Sequence, residues 1–576
     1  MTARAFRLAP SCIGGTGFGY YPITMPSARR PDRAELLHAL ETEPFDVLVV
    51  GGGITGCGIA RDASLRGLRT ALVEKNDFAS GTSSRSSRLV HGGIRYLEHG
   101  HLHLVFEASA ERRRLLKLAP HLVRPLEFVW PVYAGARVPR WKLSAGLTLY
   151  DALALFRNVA PHKRLDASDV SAIEPALRRE GLRGGARYFD AATDDARLTL
   201  ANAIGAFEAG AAVVNHAELR AIQLENGSVA SASVTDTLSG ETLEVRARVI
   251  VNAAGPWSDA VSHILEPEHA ERPAVRGSKG VHIALPRERI GNREAITLLS
   301  PTDGRVMFVL PGGSQGGQTI VGTTDTYTAS SPDNVRASEE DVAYLLDAAN
   351  FFFPDAGLTR ADVVSSWAGI RPLMADGDGE HPTAASREHA VTRSSRGVIA
   401  ITGGKLTTYR VMAADVLREV SRSLGLPVGQ SPTRNAALPG GDRRDLDVLI
   451  DEATREIGDT EVARRLVFAH GSRWVHVWEV VRSRPDGRDR VVPSLPYTVG
   501  ELLYSVRSEL ACTLGDLLMR RTHLAFETAD HGRSLAARVA TLVAPILGWD
   551  HSRRESEVRA YDDELARVFA VEVDGD

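Results

Sequence analysis

Apolar runs alternate with glycine-bearing turns at the start of the structured chain. Residues 46–50 form a short, β-branched apolar run, which predicts a strand buried on both faces. A helical pattern follows over 55–66 and stops at Gly67, a residue type common just after a helix. A second strand over 70–73 then ends at Glu74. Strand, helix and strand in this order predict a parallel α/β unit.

Later apolar runs first continue this sheet and then build another. Residues 247–254 form a strand that runs directly into Gly255, and 397–402 form a further buried strand. Between them, 280–285, 306–310 and 319–322 are apolar runs separated by turns rich in proline and glycine. Such spacing predicts a meandering antiparallel sheet. We therefore expect an α/β domain that carries an inserted β domain.

Helical periods dominate the last quarter of the chain. A proline-bearing loop follows about Ser423, and 445–457 and 499–518 then carry helical patterns. The predicted organisation is a loose extension over 1–44, a discontinuous α/β domain over 45–425 and a separate helical domain over 430–576. The inserted domain is expected over roughly 120–185 and 265–365.

Two predicted helices have unusual surfaces, one with a run of arginines and one that is nearly all apolar. The helix over 102–118 carries Arg112-Arg113-Arg114, most simply a solvated face. The segment over 137–157 is nearly all apolar, and cationic residues and Trp141 stand at its entrance. Its two apolar stripes are Leu143, Leu147, Tyr150 and Ala154, and Leu149, Leu153 and Phe156. This segment is either buried in the core or laid into a bilayer interface.

Composition excludes several classes of protein. The 576 residues carry a formal net charge of −4, with 24% charged and 43% hydrophobic residues, as in ordinary globular proteins. No domain carries the excess of positive charge that is typical of nucleic-acid-binding proteins. Cys12, Cys57 and Cys512 are too scattered for a disulfide framework or a metal site, which fits a reducing cytoplasm. No metal is expected.

The start of the chain gives no sign of a targeting or spanning segment. No apolar run approaches the roughly 18 residues that a transmembrane helix needs. The first 44 residues lack an apolar signal core, and Met25 is an alternative start to Met1.

The first turn carries a dinucleotide fingerprint. Gly51, Gly53 and Gly56 have the G-x-G-x-x-G spacing, which gives a tight turn, close approach to a pyrophosphate and close helix packing. Glu74, 18 positions past Gly56, stands where a carboxylate binds an adenosine ribose. A bound dinucleotide is expected, and a ligand-free structural unit is the alternative.

Two further segments offer donors to anions. The stretch over 79–88 is rich in hydroxyl groups, including Thr82, Ser83 and Ser87, and suits a second phosphate or else a solvated linker. The strand over 397–402 ends at Gly403-Gly404 and opens a helix at Lys405, whose N-terminus favours negative charge.

A cluster of reactive side chains follows the hydroxyl-rich stretch. His91, Arg95 and Tyr96 lie around Gly92-Gly93, which places an imidazole, a guanidinium and a phenol within six residues. A histidine can take a hydroxyl proton, and an arginine can hold a phosphate with two hydrogen bonds. Taken alone, the cluster fits a structural histidine and a surface arginine about as well.

These residues resemble the FAD-dependent glycerol-3-phosphate dehydrogenases, within the glycine and D-amino-acid oxidase group of flavoproteins. The resemblance covers residue 45 to the C-terminus. It rests on GGGITG with Glu74, TSS before LVHGGIRYLE, DDARL over 194–198, VNAAGPW over 251–257, VGTTD over 321–325, GIRPL over 369–373 and GGKLTTY over 403–409. A tail segment, LPYT over 495–498 with Arg520-Arg521-Thr522, is also family-like.

The resemblance implies an α/β fold: a Rossmann-like FAD-binding domain, an inserted, mainly antiparallel β substrate domain and a C-terminal α-helical domain. It implies oxidation of sn-glycerol 3-phosphate to dihydroxyacetone phosphate, with FAD reduced and electrons passed to a membrane quinone. A cytoplasmic protein at the inner face of the cell membrane is then expected, and a homodimer is open. The expected FAD-binding residues are Gly51, Gly53, Ile54, Thr55, Gly56, Glu74, Thr82, Ser83, Ser87, Gly255, Gly404, Lys405, Leu406 and Thr407.

The expected catalytic residues are His91, Arg95, Tyr96, Arg371 and Lys405. His91 is the candidate base, worth roughly 10²–10⁴-fold in rate. Arg95, Arg371 and Lys405 are the cations available for the substrate phosphate and the flavin, and which cation binds which group is open. Tyr96 can hydrogen-bond the substrate. Ordinary ion pairing is the alternative for Arg371 and Lys405.

The sequence is also compatible with three other functions. An oxidase would run the same half-reaction with O₂ as acceptor. An FAD enzyme acting on an amino acid or N-methyl amine would keep the fold, although the several cations argue against it. A non-catalytic nucleotide-binding module would show no flavin bleaching with any alcohol.

Overall fold

The computed structural model describes residues 32–97, 100–155, 158–267, 274–375 and 388–572, without the side chains of Arg95 and Ser228. Its strands, in chain order, are β1 Phe45–Val50, β2 Thr70–Val73, β3 Leu89–Val90, β4 Val123–Tyr133, β5 Lys163–Leu165, β6 Leu182–Thr193, β7 Ala212–Val214, β8 Ala217–Glu225, β9 Ser228–Asp236, β10 Thr242–Asn252, β11 Val275–Pro286, β12 Ala295–Leu299, β13 Val306–Gly312, β14 Gln318–Gly322, β15 Thr326–Tyr327, β16 Ala337–Ser338, β17 Ser365–Met374, β18 His389–Arg393, β19 Ile399–Gly403 and β20 Val571–Glu572.

The helices, in chain order, are α1 Arg33–Thr42, α2 Ile54–Leu65, α3 Leu102–Leu118, α4 Arg140–Leu153, α5 Ala167–Ile173, α6 Asp195–Glu208, α7 Ser258–Leu265, α8 Arg287–Ile290, α9 Glu339–Phe352, α10 Tyr409–Leu424, α11 Leu446–Ile457, α12 Thr460–His470, α13 Trp474–Arg482, α14 Val499–Ser508, α15 Leu524–Glu527, α16 Ala536–Leu547 and α17 His551–Phe569.

The first sheet is the predicted nucleotide fold. Its strand order is β18-β19-β10-β1-β2-β7, and the pairs from β19 to β7 are parallel. All six residues of β1 except Asp46 are buried, because helices cover both faces of a parallel sheet. Helix α2 ends at Leu65 and Gly67 follows with φ +84°, as the glycine predicts. The β8–β9 hairpin extends this sheet from the early part of β10.

The second sheet is the predicted substrate layer. Its order is β15-β11-β14-β13-β12-β4-β6-β3, with β17 against β11 and β5 against β6. All its pairs are antiparallel except β12 with β4. The fold class expected from the sequence is confirmed. The domain limits stay a prediction, and β3, the end of β6 and nearly all of β17 lie beyond the limits given for the insert.

The C-terminal helices pack closely against the rest of the chain. In the described part of the chain they belong to the same compact unit as the two sheets and share a hydrophobic core with one face of the second sheet. Trp367 on β17 meets Phe526 on α15 edge to face, with ring centroids 5.4 Å apart. An apolar helical bundle and an apolar sheet face bury each other, so the boundary in helical periodicity is not a boundary in packing.

Charged and polar contacts also join the C-terminal helices to α6 and to the segment after β2. Both amino groups of the Arg197 guanidinium, on α6, donate to the Glu509 carboxylate at 2.7 Å. Nε2 of His523 lies 2.8 Å from Oδ2 of Asp194. Nη1 of Arg521 donates to Oδ2 of Asp77 at 2.6 Å. These contacts assign the DDARL motif and the Arg520-Arg521 pair to docking of the C-terminal helices.

Three local expectations are wrong. Part of the expected loose extension is helix α1, whose Asp32 side chain caps it; residues 1–31 lie outside the described part. The helix expected over 499–518 breaks after Ser508, where Leu510 takes φ +57°, and resumes as a π-helix over Asp516–Arg521. Arg112 is buried rather than solvated, because it donates to Asp190 and to the Tyr150 hydroxyl.

Helix α4 buries one of its two apolar stripes. Leu143, Leu147 and Tyr150 are buried, whereas Leu149 is 41% exposed and Trp141 is 74% exposed. Among the described residues, no helix is long and apolar enough to span a bilayer. Core burial is confirmed for the inward face of α4, and the bilayer contact stays a prediction.

Candidate active site

One cavity, of about 380 Å³, lies where the two sheets meet. The carboxyl ends of β1, β2, β10 and β19 form one wall, and β11 and β17 form another. Ligands of open α/β sheets bind at this end of the strands, because the glycine turns and helix N-termini face it. Motifs separated by hundreds of residues therefore meet in a single site.

The glycine turn has the geometry that a dinucleotide needs. Gly51 adopts φ +111°, and a Cβ there would lie 2.7 Å from the Ala253 carbonyl oxygen. A Cβ on Gly56 would enter the Gly51 carbonyl, so this glycine serves helix packing and does not line the cavity. Gly53 is the N-cap of α2 and has no side chain to cover the helix end. The positive N-terminal end of α2 therefore faces the cavity.

Glu74 is held at the end of β2 by backbone donors. Its Oε2 accepts from the Gly52 N–H at 2.6 Å, and its Oε1 accepts from the Asn76 N–H at 2.9 Å. Burial raises the pKa of this carboxyl, and the two N–H groups oppose the rise. The carboxylate is thus fixed beside the cavity, where the ribose acid is expected.

The hydroxyl-rich segment is a short 3-10 turn over Thr82–Ser84 that lines the cavity. The Ser83 hydroxyl accepts from the Ile54 N–H at 3.0 Å, and the Thr82 hydroxyl donates to the Ile370 carbonyl at 2.6 Å. The solvated-linker interpretation is therefore wrong, because these hydroxyls bind α2 and β17.

His91 and Tyr96 both line the cavity. The His91 N–H donates to the Thr407 hydroxyl at 3.2 Å, which joins the HGGIRY and GGKLTTY motifs. Gly92 leaves room for the Tyr150 and Ser109 hydroxyls, and Gly93, at φ +77°, leaves room for the Tyr96 ring. Arg95 lies in the 3-10 turn over Ile94–Leu97, and its side chain is outside the described part of the chain.

Lys405 contacts Tyr96, the last residue of the HGGIRY motif. Its Nζ is 3.6 Å from the centre of the Tyr96 ring, which is a cation–π contact. Gly403 and Gly404 precede it at φ +74° and +87°. A 3-10 turn over Leu406–Thr408 then leads into α10, so the helix begins one turn later than expected. Leu406 and Thr407 line the cavity.

Arg371 points from β17 into the cavity and is also paired. Nη1 lies 3.1 Å from Oδ1 of Asp325, and Nη2 donates to the Thr323 hydroxyl at 3.0 Å. A Cβ on Gly280 would clash with the guanidinium, so this glycine makes its place. The ion pair expected as the alternative for Arg371 is therefore present, and its role in substrate binding stays a prediction.

His282 is a site residue that sequence reasoning missed. It lines the cavity from β11, and its Nε2 lies 2.8 Å from the Ser87 hydroxyl. Burial, with the charges of Arg371 and Arg88, lowers the pKa of His282 to about 3, so the ring is neutral at pH 7. The signal was a histidine within the apolar run 280–285, which was interpreted only as a strand.

The cavity lining suits an adenine dinucleotide carrying a flavin. Of the expected FAD-binding residues, all but Gly56 line it, and so do the expected catalytic residues other than Arg95. The fit rests on the close backbone approach at Gly51, on fixed Glu74 and on the α2 N-terminus. Further lining residues that were not predicted are Lys75, Asn76, Arg85, Trp257, Leu219 and Met412.

Two family comparisons agree with this geometry. Residues 46–410 match the FAD dependent oxidoreductase family, and residues 431–554 match the C-terminal domain of alpha-glycerophosphate oxidase. Together they span both sheets and most of the C-terminal helices.

Relatives match nearly the whole chain. Glycerol-3-phosphate dehydrogenase 2 of Mycobacterium tuberculosis is 38% identical over 548 residues, which are 93% of this chain and 90% of that protein. Aerobic glycerol-3-phosphate dehydrogenase of Staphylococcus aureus is 34% identical over 554 residues, 93% of this chain and 96% of that protein.

Among solved structures, glycerol-3-phosphate dehydrogenase from Bacillus halodurans complexed with FAD is similar with a TM-score of 0.77 and 31% identity, covering 94% of this chain and 99% of that one. An L-alpha-glycerophosphate oxidase from Mycoplasma pneumoniae with FAD, at a TM-score of 0.53 and 18% identity, covers 69% of this chain and 98% of that one and shares the fold.

Proposed function

We propose, since this chain belongs to the FAD-dependent glycerol-3-phosphate dehydrogenases, that it oxidises sn-glycerol 3-phosphate to dihydroxyacetone phosphate and passes the electrons to a membrane quinone. FAD, when bound, accepts the hydride from C2 of the substrate. The observation that carries the proposal is the single cavity in which the dinucleotide turn meets Arg371, Lys405, His91 and His282.

Cations in the cavity support a phosphorylated substrate. Arg371 is held by Asp325 and Thr323, so its orientation is set before substrate arrives. A guanidinium can hold a phosphate with two hydrogen bonds, and an ammonium such as that of Lys405 acts as a point charge. We assign Arg371 to the substrate phosphate, and we assign Lys405, beside the 3-10 turn, to negative charge on the flavin or substrate.

An imidazole supports removal of the C2 hydroxyl proton as the hydride leaves. His91 is the proposed base, and the Thr407 contact holds its backbone against the GGKLTTY motif. His282 also lines the cavity, but burial and two arginines lower its pKa to about 3, so it is a weak base at pH 7 and we assign it to hydrogen bonding with Ser87. Tyr96 would orient the substrate hydroxyls.

An interfacial helix supports quinone as the acceptor. A quinone resides in the bilayer, so the enzyme must reach a membrane surface. Helix α4 presents Trp141 and Leu149 to solvent, with Arg137, Arg140 and Lys142 exposed at its start. Exposed apolar side chains beside cations fit an anionic membrane surface. We propose peripheral attachment of a cytoplasmic protein through this face.

An anaerobic titration tests the activity. Purified yellow protein should lose its flavin absorbance when glycerol 3-phosphate is added and should keep it with glycerol or with amino acids. Persistence of the absorbance with glycerol 3-phosphate would refute the proposal, and bleaching by an amino acid would favour an amine-oxidising enzyme. Turnover with a quinone analogue, compared with O₂ and H₂O₂ formation, then decides between dehydrogenase and oxidase.

A further inference from the structure

Three side chains form a strap beside the cofactor cavity, and two of them, Lys75 and Trp257, line it. Asp333 comes from the turn between β15 and β16, Lys75 follows β2 and Trp257 follows β10. Oδ1 of Asp333 lies 2.7 Å from Nζ of Lys75 and accepts a hydrogen bond from the Trp257 indole N–H at 3.0 Å. Nζ of Lys75 also lies 4.8 Å from the centre of the Trp257 ring. Each member of this Asp333 strap thus contacts the other two.

The strap lies at the adenosine end of the cavity. Lys75 and Trp257 line it together with Glu74 and Asn76. A Cβ on Gly81 would lie 2.7 Å from the Trp257 ring, so the indole packs directly on the backbone of the hydroxyl-rich segment. The indole and the lysine therefore cover the region beside the ribose acid.

The turn that carries Asp333 has a fixed backbone, whereas the side-chain contacts of Asp333 are partly exposed to solvent. Pro332 occupies the second position of a turn in which the Asn334 N–H donates to the Ser331 carbonyl at 3.0 Å. Val335, only 3% exposed, anchors the turn in the core. The Asp333 side chain itself is 50% exposed and that of Lys75 is 29% exposed, so their contact can break without opening the core.

We propose that the Asp333 strap retains FAD: the contacts of Asp333 with Lys75 and Trp257 must break before the cofactor leaves or enters. The inference rests on the proposed function only for the identity of the cofactor. It gives the inserted sheet a second task, because a turn from that sheet holds Lys75 and Trp257, which line a cavity built mainly by the nucleotide fold.

The test measures FAD release from the holoenzyme by the rise of free-flavin fluorescence after dilution. Asp333→Ala, which loses both contacts, should release FAD about three- to tenfold faster than the unaltered protein. Asp333→Asn should fall between them, because its amide oxygen still accepts from Trp257 while the charge pairing with Lys75 is lost. The melting temperature of the apoprotein should not change in either variant.

Glu339→Gln is the matched control. It removes an exposed ion pair from the same part of the chain, with Arg360 at 3.5 Å, and neither residue lines the cavity. An unchanged release rate in Asp333→Ala, or equal acceleration in Glu339→Gln, would overturn the inference. FAD release is measured without substrate, so failure of glycerol 3-phosphate to bleach the flavin would count against the proposed function and not against the strap.

Discussion

Nη1 of Arg371 lies 3.1 Å from Oδ1 of Asp325, and the same carboxylate oxygen accepts a hydrogen bond from Ser278. Arg371 and Asp325 belong to the GIRPL and VGTTD motifs, which are separated by more than forty residues in the chain. Their pairing orients a cation that lines the cavity. Substrate recognition can therefore be tested through this pair.

Arg371→Ala should lower kcat/KM for glycerol 3-phosphate by roughly tenfold to a hundredfold, because hydrogen bonds to a charged phosphate are lost. Discrimination between glycerol 3-phosphate and glycerol should fall in parallel. Steady-state kinetics with both substrates measures this, and Arg276→Ala, exposed on the same sheet, is the control. Unchanged discrimination would remove Arg371 as the phosphate anchor.

Gly280→Ala should produce a milder form of the same defect. A methyl group there would meet the Arg371 guanidinium and displace it, although the charge remains. We expect KM for glycerol 3-phosphate to rise while FAD stays bound, as judged by flavin absorbance. A wild-type KM would mean that the guanidinium shifts without cost to binding.

His91→Asn should retain FAD but slow flavin reduction by roughly 10²–10⁴-fold in single-turnover stopped-flow experiments. The reason is that no other group would be as well placed to take the hydroxyl proton. His282→Asn, measured alongside, tests the second imidazole. If only the His282 variant is slow, the base is His282 and the assignment of His91 falls.

Two buried histidines should make stability depend on acidity. Burial lowers the pKa of His282 and of His121 to about 3, whereas an unfolded histidine titrates near 6.5. Between those values the unfolded chain binds protons that the folded chain does not. The free energy of unfolding should therefore fall with falling pH, by about 1.4 kcal/mol per unit for each histidine.

Urea unfolding at several pH values between 6 and 4 measures this slope. His282→Gln and His121→Gln should each reduce it, because glutamine does not titrate. A slope that is the same in both variants and in the unaltered protein would show that neither ring stays neutral in the folded state.

Trp141→Ser with Leu149→Ser should weaken sedimentation with anionic vesicles at low salt, because both side chains are exposed on α4. Val448→Ser, 42% exposed on α11, is the control for loss of an exposed apolar group. Flavin reduction by glycerol 3-phosphate should stay unchanged. Equal vesicle binding by all three proteins would exclude this face as the membrane contact.

Local motifs explain why much of the site could be predicted. Gly51, Glu74 and Lys405 each stand where a strand of the parallel sheet ends, and this geometry directs them to one edge. His91 and Arg371 are predicted from the HGGIRY and GIRPL motifs instead. His282 could not be found in this way, because it lies inside a strand whose apolar pattern indicates burial. Only its distance to Ser87 reveals its place in the site.

Packing between distant segments explains the wrong expectations. Arg112 is buried because Asp190 and Tyr150 pair with it from another strand and helix, which a run of three arginines cannot indicate. The helix expected over 499–518 breaks where Glu509 pairs with the distant Arg197. Removal of either buried partner would leave an uncompensated charge, so these pairs override helical periodicity.

The sequence by itself determined the order of strands and helices, the dinucleotide turn and the residue types of the site, because hydrophobic periodicity and glycine spacing act locally. The tertiary structure decided which cations are paired, which histidines stay neutral, how the C-terminal helices dock and which side chains line the cavity. Those properties depend on burial and on distances between residues hundreds of positions apart, which only the folded chain brings together.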